Sequence, residues 1–260
     1  MENVKQQNYL GHLASGMKEV LSLKNNIHDV VTLTTTSKGM MTVMLLSQLV
    51  AFILGKSFDL MGWIGLITGI SAIMNLILVD QGRLTNYSWG ILQCAVWFVV
   101  AINNRLVGDM FSQGFYFLMQ FVGVSIWHRD IAKDAVIEGD TAELKAKKMS
   151  KLTALLTVLG TIIVYFIVLF VSLKANGSNP YIDAALLPLG IAGQILMTYG
   201  YRSQWIVWLI LDAINIEVWA VQLSNGGAAA FSMFILQIVM FINAVYGAYL
   251  WFKPQENKVA

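Results

Sequence analysis

The sequence predicts an all-α integral membrane protein with eight transmembrane helices, and three observations lead to this fold class. The chain is 57% hydrophobic and only 12% charged over 260 residues, whereas a soluble domain carries about 25% charged residues. Apolar windows of about 20 residues, the length that crosses a bilayer, recur along the chain. Short motifs also recur in the same order in its two halves, as in transporters built from repeated bundles.

Eight windows have the length and composition of a membrane span. They are residues 37–56, 59–79, 84–103, 107–127, 151–173, 181–201, 204–223 and 227–252. The first is the weakest, because its uncharged core lies between Lys38 and Lys56, whose long side chains can reach the interface. The lipid bilayer is therefore the solvent that this chain is expected to meet.

Three segments lie outside the spans. Residues 1–36 are polar but carry apolar residues at helical spacing, so they are predicted to form a tail with an interfacial helix. Residues 128–150 form the one long charged connection, which predicts a solvated loop or a short amphipathic helix. Residues 254–260 form a short C-terminal tail.

The distribution of Lys and Arg predicts the orientation. With eight crossings, 14 of the 17 basic residues share one side with both termini and the 128–150 loop. Because positive loops stay in the cytoplasm, this side and both termini are predicted to be cytoplasmic. A seven-helix alternative without the first span would move the lysines of residues 1–58 outside, so eight crossings are favoured.

The second, third and fourth spans resemble the sixth, seventh and eighth. Trp89-x-x-x-Gln93 recurs as Trp208-x-x-x-Asp212, and Gly-x-x-x-Trp occurs at 123–127 and again at 247–251. Residues 57–127 and 174–253 are therefore predicted to be two parallel three-helix bundles. Residues 151–173 would be the linker helix, and 37–56 an extra helix before the first bundle.

Polar and aromatic residues follow one stripe on each of several spans, because they recur every three or four residues. The candidate binding residues on these stripes are Asn86, Trp89, Gln93, Trp97, Tyr116, Gln120, Gln194, Trp205, Trp208, Asp212 and Asn215. A carboxyl at the bilayer centre costs about 3 kcal/mol, so such stripes are expected to face a shared cavity. Aromatic faces with amides and a carboxyl suit a small polar solute that contains a ring, and a cationic ring would add a cation–π contribution.

Other residues have simpler interpretations. Pro188 lies inside the sixth span, which predicts a kink or hinge there. Trp63, Trp127 and Trp251 lie near span ends and are interpreted as interfacial anchors. Glu217 lies off the stripe of the seventh span, and the sequence leaves its role open.

Signals for an enzyme are absent from the sequence. It has no HExxH, CxxC, Walker A or GxSxG motif, and its three histidines lie outside the spans. No catalytic residue, metal site or cofactor is therefore expected. A net charge of +2 gives no indication of a nucleic-acid partner.

Three stretches resemble the PnuC family of bacterial vitamin transporters. They are QGRLTNYSWGILQCAVWF (81–98), GFYFLMQFVGVSIWHR (114–129) and PYIDAALLPLGIAGQILMTYGYRSQWIVWLILDAINIEVW (180–219), within a resemblance covering about residues 57–253. The resemblance implies a SWEET-like 3+1+3 helix order, a homotrimer and a bacterial cytoplasmic-membrane location. Its paired elements NYxxGxxQ and QWxxWxxxD point to Asn86, Trp89 and Gln93, and to Trp205, Trp208 and Asp212, as ligand contacts. SWEET proteins use prolines in both repeats, but here only the second bundle has one, Pro188.

The function expected from this resemblance is uptake of nicotinamide riboside by facilitated diffusion. A cytoplasmic nicotinamide riboside kinase would phosphorylate the product and so prevent its return. Two alternatives remain: a transporter of thiamin or riboflavin, which keeps the fold, and a membrane receptor or sensor that binds its ligand without transport.

Overall fold

The computed structural model describes residues 8–138, 141–174, 180–227 and 229–253, and these contain ten helices and one β-hairpin. The helices are α1 Tyr9–Val20, α2 Leu23–Val31, α3 Thr35–Gly55, α4 Leu60–Asp80, α5 Asn86–Asn103, α6 Val107–Asp134, α7 Lys151–Lys174, α8 Pro180–Thr198, α9 Gln204–Ser224 and α10 Ala230–Phe252. Helices α3 to α10 correspond in order to the eight predicted spans. The predicted tail at 254–260 lies outside the described residues.

Within the described residues, five helices are long and apolar enough to cross a membrane. They are Thr35–Gly55, Leu60–Asp80, Lys151–Val171, Gln204–Ser224 and Ala230–Phe252. Helix α7 is the extreme case: its window has a mean hydropathy of 2.8 and no buried residue. A helix that exposes apolar side chains on every face requires lipid or another apolar partner. The fold is therefore that of a helical membrane protein.

Six of the ten described helices, α4 to α6 and α8 to α10, form a closed ring. Along the chain α4 packs on α5 and α5 on α6, and likewise α8 packs on α9 and α9 on α10. The ring closes through two further contacts, α6 with α8 and α10 with α4. Exchanging α4–α6 for α8–α10 turns one of these contacts into the other, as expected for two parallel triplets related by a two-fold axis.

Two of the helices that correspond to predicted spans, α3 and α7, lie outside the ring. Helix α7 packs on α8, the first helix of the second triplet, and α3 packs on α4, the first helix of the first triplet. Helix α3 also contacts α10, where Gln48 is fully buried beside Gly69 of α4. Each triplet is thus preceded by a helix that packs on its outer side.

An aromatic cluster of Tyr87, Trp127, Trp205 and Trp251 fills the ring at the end where α4 and α8 finish. The Trp127 ring lies 5.2 Å from Tyr87 and 6.2 Å from Trp251, and Trp205 lies 6.1 Å from Trp251. All four side chains are fully buried. The prediction that Trp127 and Trp251 are interfacial anchors is therefore wrong, whereas Trp63 remains half exposed.

Trp127 and Trp251 have equivalent roles in the two triplets. Trp127 on α6 donates its indole N–H to the Met197 carbonyl near the end of α8 (3.1 Å). Trp251 on α10 donates to the Asp80 carbonyl at the end of α4 (3.0 Å). The last carbonyls of a helix have no partner within it, so each Trp satisfies one across the contact between triplets. The sequence recurrence of Gly-x-x-x-Trp reflects this paired arrangement.

Residues 128–150 form neither one continuous loop nor one continuous amphipathic helix. Helix α6 continues to Asp134, and a β-hairpin follows, with β1 (Ala135–Glu138) antiparallel to β2 (Thr141–Leu144). Val136 and Ile137 favour a strand, and the Gly-Asp pair at 139–140 is a typical hairpin connection. The hairpin was not predicted, because this short pattern lies within a long charged stretch.

Residues 141–147, named the bridging segment, join the two triplets. The Leu144 N–H donates to the Gly82 carbonyl in the α4–α5 turn (2.9 Å), and the Lys147 N–H donates to the Gly200 carbonyl in the α8–α9 turn (2.8 Å). Both glycines have positive φ, +65° and +73°, which only glycine adopts readily. The Leu144 backbone also occupies the space of a Gly82 side chain, so both turns need glycine to receive this segment.

The N-terminal region forms two helices rather than one interfacial helix. Helix α1 packs on α6, with Gly16 against Val124 and with the His12 Nδ1 2.9 Å from the Nδ1 of His128. Helix α2 exposes Leu23, Ile27 and Val31 at helical spacing. Both helices contact the rest of the protein, since Asp29 of α2 accepts a hydrogen bond from the Thr85 hydroxyl (2.6 Å), and the exposed apolar stripe belongs to α2.

Candidate functional site

A cavity occupies the centre of the six-helix ring, and all six helices contribute to its wall. It contains about 870 Å³ of space between atoms, part of it open to solvent. The lining residues are Asn75, Leu76, Val79, Gln93, Cys94, Trp97, Asp109, Ser112, Gln113, Tyr116, Gln120, Leu186, Gln194, Met197, Trp205, Trp208, Leu211, Asp212, Asn215, Met240 and Ala244. Helices α3 and α7, outside the ring, supply none of these.

Nine of the eleven candidate binding residues line this cavity. They are Gln93, Trp97, Tyr116, Gln120, Gln194, Trp205, Trp208, Asp212 and Asn215. They come from α5, α6, α8 and α9, so stripes on four separate helices converge on one space. Glu217, whose role the sequence left open, is exposed on α9 and is not part of the lining.

Asn86 and Trp89 do not line the cavity. Asn86 is the first residue of α5, where its side-chain amide donates to the Arg83 carbonyl (2.6 Å). Its own carbonyl accepts from the Asn75 amide (2.9 Å), so Asn86 helps to hold a lining residue. Trp89 is partly buried and packs against the hydrophobic core of the ring.

Glycines on α8 make room for the two aromatic rings that face each other in the cavity. Tyr116 and Trp208 meet edge to face, with ring centroids 6.1 Å apart, a favoured aromatic geometry. A Cβ at Gly190 would lie 1.9 Å from the Tyr116 hydroxyl, and a Cβ at Gly193 would lie 3.1 Å from the Trp208 ring. Because α8 has no side chain at Gly190 and Gly193, both rings can pack closely against this helix.

Several buried acceptor atoms in the wall have no hydrogen-bond partner among the described residues. They are the side-chain amide oxygens of Gln113, Gln120 and Asn215. The Gln120 amide nitrogen is used, since it donates to the Tyr116 carbonyl (3.1 Å). Buried polar atoms are nearly always paired in native proteins, so these oxygens are suited to hydroxyl or amide donors of a bound solute.

Two carboxylates line the cavity, one from each triplet. Asp109 on α6 accepts a hydrogen bond from the Trp97 indole (3.3 Å), and Asp212 on α9 is 3% exposed. The described lining contains no Lys, Arg or His. The site therefore offers two carboxyl groups, oxygen acceptors and aromatic faces without a basic side chain, a combination that favours a cation over an anion.

Five further polar residues line the cavity and are not among the candidate binding residues: Asn75, Cys94, Asp109, Ser112 and Gln113. Asp109 could have been found, because positions 109, 113, 116 and 120 follow one another at helical spacing. Pro188, the candidate hinge, lies buried in α8 and does not line the cavity.

A ring of membrane-type helices around a polar, aromatic cavity is typical of a small-molecule transporter, and comparison with known proteins agrees with this class. The family model described as "Nicotinamide mononucleotide transporter" matches residues 62–253. The chain belongs to this family, which includes the PnuC proteins, and it is a transport protein rather than an enzyme.

Curated relatives are named nicotinamide riboside transporter PnuC. The protein from Neisseria mucosa is 25% identical over 192 residues, covering 74% of this chain and 72% of that one. The protein from Haemophilus influenzae is 27% identical over 194 residues, covering 74% and 80%. The solved structure of "the Vitamin B3 transporter PnuC" aligns with a TM-score of 0.74 at 24% identity, covering 84% of this chain and 91% of that one. This likeness shows the fold, and the resemblance inferred from the sequence is confirmed.

Proposed function

We propose that this protein carries nicotinamide riboside into a bacterial cell by facilitated diffusion. The names of the curated relatives support the substrate, and the observation that carries the proposal is the charge of the cavity. Its described wall holds two carboxylates, three tryptophans and no basic side chain. Nicotinamide riboside combines a pyridinium cation with ribose hydroxyls, so each of its parts has a complementary group.

The two carboxylates of the cavity also favour binding of the riboside over the mononucleotide that appears in the family's name. A nucleotide adds a phosphate carrying close to two negative charges, which proteins usually bind with Arg, Lys or helix N-termini. A phosphate in this cavity would meet Asp109 and Asp212 without a cation to offset the repulsion. The free riboside is therefore the proposed cargo, and phosphorylation in the cytoplasm would prevent its return.

The proposed binding pose follows from the chemistry of the wall. The pyridinium ring stacks among Trp205, Trp208 and Tyr116, where a cation–π contribution is worth about 1–2 kcal/mol in a desolvated site. Asp212 and Asn215 accept hydrogen bonds from the ribose hydroxyls. The remaining candidate residues, which complete the polar contacts, are Gln93, Trp97, Gln120 and Gln194.

The proposed membrane topology has eight crossings, α3 to α10. The core is the 3+1+3 arrangement of α4–α6, α7 and α8–α10, with both termini on the cytoplasmic side of the bacterial cytoplasmic membrane. Helices α1 and α2 would lie at the cytoplasmic surface, with the exposed stripe of α2 against lipid headgroups. The protein would assemble as a homotrimer in which each protomer has its own cavity. Rocking of one triplet against the other, with Pro188 as hinge, would expose the cavity to each side in turn.

Flux into proteoliposomes of purified protein tests the proposal. Labelled nicotinamide riboside should equilibrate to equal inside and outside concentrations without an ion gradient or ATP. Vesicles loaded with a nicotinamide riboside kinase and ATP should accumulate the label further, as the phosphorylated product. Protein-free liposomes and a Trp208→Ala variant are the controls.

Accumulation above the outside concentration in kinase-free vesicles would contradict facilitated diffusion. Binding without flux would instead indicate a receptor or sensor.

Thiamin is the alternative substrate that a specific observation favours, because its thiazolium ring is also a cation and would suit the two carboxylates. Riboflavin is uncharged and has a larger ring system. Thermal shifts of the purified protein with each vitamin distinguish these cases. A larger shift with thiamin than with the riboside at equal concentrations would replace the proposed substrate.

A further inference from the structure

Asp109 is a buried carboxylate of the cavity to which the proposed binding pose assigns no role. It is the third residue of α6, about 3 Å along the axis from the start of that helix, at its predicted extracellular end. Asp212 lies 12 residues before the end of α9, which is about 18 Å from the corresponding end. The two carboxylates therefore lie at different depths, one near the outer end and one near the middle.

The surroundings of Asp109 offer acceptors to a solute. The Trp97 indole donates to one carboxylate oxygen (3.3 Å), which orients the group, and Asp109 is 8% exposed. The side-chain oxygen of Gln113, one turn further along α6, is buried, lines the same cavity and has no hydrogen-bond partner among the described residues. Both observations indicate that this end of the cavity is built to receive a donor or a cation.

A carboxylate buried without a cation is costly by several kcal/mol, and a cationic solute would remove part of that cost. We propose that Asp109, oriented by Trp97 and accompanied by Gln113, is a specificity-determining residue at the outer end of the cavity that selects solutes with a positively charged ring. Such a solute would contact Asp109 before it reaches Trp208 and Asp212. This inference rests on the proposed function, since the charge of the cargo is what Asp109 recognises.

A purely structural role for Asp109, as an acceptor that anchors Trp97, makes a different prediction. Loss of a structural contact would weaken every ligand to a similar degree, whereas loss of a charge filter would weaken cationic ligands alone. The two roles are therefore separated by a pair of ligands with the same shape and different charge. Nicotinamide riboside and its uncharged dihydro form are such a pair.

The experiment measures the binding of both ligands to purified wild-type protein and to four variants. Asp109→Asn removes the charge and keeps the size, and Asp109→Glu keeps the charge. Asp212→Asn is the comparison within the cavity. Asp59→Asn is the matched control, because Asp59 caps α4 at the same predicted end, outside the cavity, and Asn is an equally good cap.

We expect Asp109→Asn to weaken the cationic riboside about tenfold, as the loss of one ion-pair interaction in a partly desolvated site implies. Its affinity for the dihydro form should change less than about twofold, and Asp109→Glu should restore most of the preference for the cation. Asp59→Asn should bind both ligands as the wild type does.

Equal weakening of both ligands by Asp109→Asn, or no change in either, would overturn the inference while leaving the proposed function intact. If Asp109→Asn does not fold, loss of the preference in the folded Asp109→Glu variant would overturn it too. A wild-type protein that binds neither ligand would overturn the proposed function, and this inference with it.

Discussion

Tyr116 occupies its place in the cavity because Gly190 has no side chain. A Cβ at Gly190 would lie 1.9 Å from the Tyr116 hydroxyl, well inside van der Waals contact, so the tyrosine ring would have to move. Gly114, on the same helix as Tyr116, has nothing within 4 Å of the corresponding position. These two glycines provide a matched pair for testing whether the ring position matters for binding.

Gly190→Ala should therefore weaken riboside binding by about tenfold or more, because the displaced Tyr116 no longer faces Trp208. Gly114→Ala should leave binding unchanged and stabilise α6 by about 0.5–1 kcal/mol. Isothermal titration and thermal unfolding check both variants. Unchanged binding in a folded Gly190→Ala protein would remove Tyr116 from the proposed pose.

Helical spacing identified most of the cavity wall at the level of residues, and the exceptions have physical reasons. Gln93 and Trp97 lie within about 40° of each other around α5, but Trp89 lies about 90° from the direction they and Cys94 define. The motif NYxxGxxQ therefore included one residue, Trp89, that lies outside the cavity wall. Asn86 lies outside the cavity wall because its side-chain amide donates to the preceding turn, and the spacing of residues does not reveal such a hydrogen bond.

Arg83, in the turn between α4 and α5, forms ion pairs with two separate elements, α2 and β2. Its guanidinium is 2% exposed and lies 2.9 Å from Glu143 of β2 and 3.8 Å from Asp29 of α2. Lys145, which follows the same hairpin, forms an ion pair with Asp134 in which both side chains are more than half exposed. A buried and an exposed ion pair thus occur within the same connection.

Arg83→Gln should lower the free energy of unfolding by about 3–5 kcal/mol, because it removes the buried positive charge that faces the carboxylates of Asp29 and Glu143. Lys145→Gln should lower it by less than about 1 kcal/mol, since exposed ion pairs contribute little. Thermal unfolding in detergent compares the two. Similar small losses in both would show that the hairpin and α2 do not depend on Arg83.

Element by element, the apolar spans were predictable and the segments between them were not. Eight helices appear in the predicted order, and five of them, among the described residues, have the length and hydropathy of a membrane span. A run of about 20 apolar residues has few alternatives to a helix in a membrane. The hairpin was missed because its local pattern lies within a long charged stretch, and the contacts of the bridging segment with the turns at Gly82 and Gly200 could not be predicted. These contacts join residues far apart in the sequence, so no local pattern signals them.

At the scale of the whole molecule, the aromatic cluster separates the cavity from the turns joined by the bridging segment. Trp205 belongs to both, since it lines the cavity and packs 6.1 Å from Trp251. Opening of the cavity toward the predicted cytoplasmic side would require the triplets to separate at this cluster. The chain carries one natural probe of such opening, because its single cysteine, Cys94, lines the cavity and is 3% exposed.

Cys94 should react slowly with a membrane-impermeant thiol reagent added to either side of oriented vesicles, because the proposed alternating access would expose the cavity to both sides. Saturating nicotinamide riboside should slow the reaction. Mass spectrometry of the labelled protein measures it, and Cys94→Ala is the unlabelled control. Labelling from only one side would contradict alternating access.

Helices α3 and α7 hold equivalent positions, because each packs on the first helix of the triplet that follows it. The chain can therefore be divided into two units of four helices. The family model begins at residue 62 and so leaves α3 out. A unit with an even number of crossings returns the chain to the side where it began, whereas a unit of three does not. If α3 to α10 all cross the membrane as proposed, the two four-helix units would insert in the same sense, and α3 is the helix that gives the first unit as many crossings as the second.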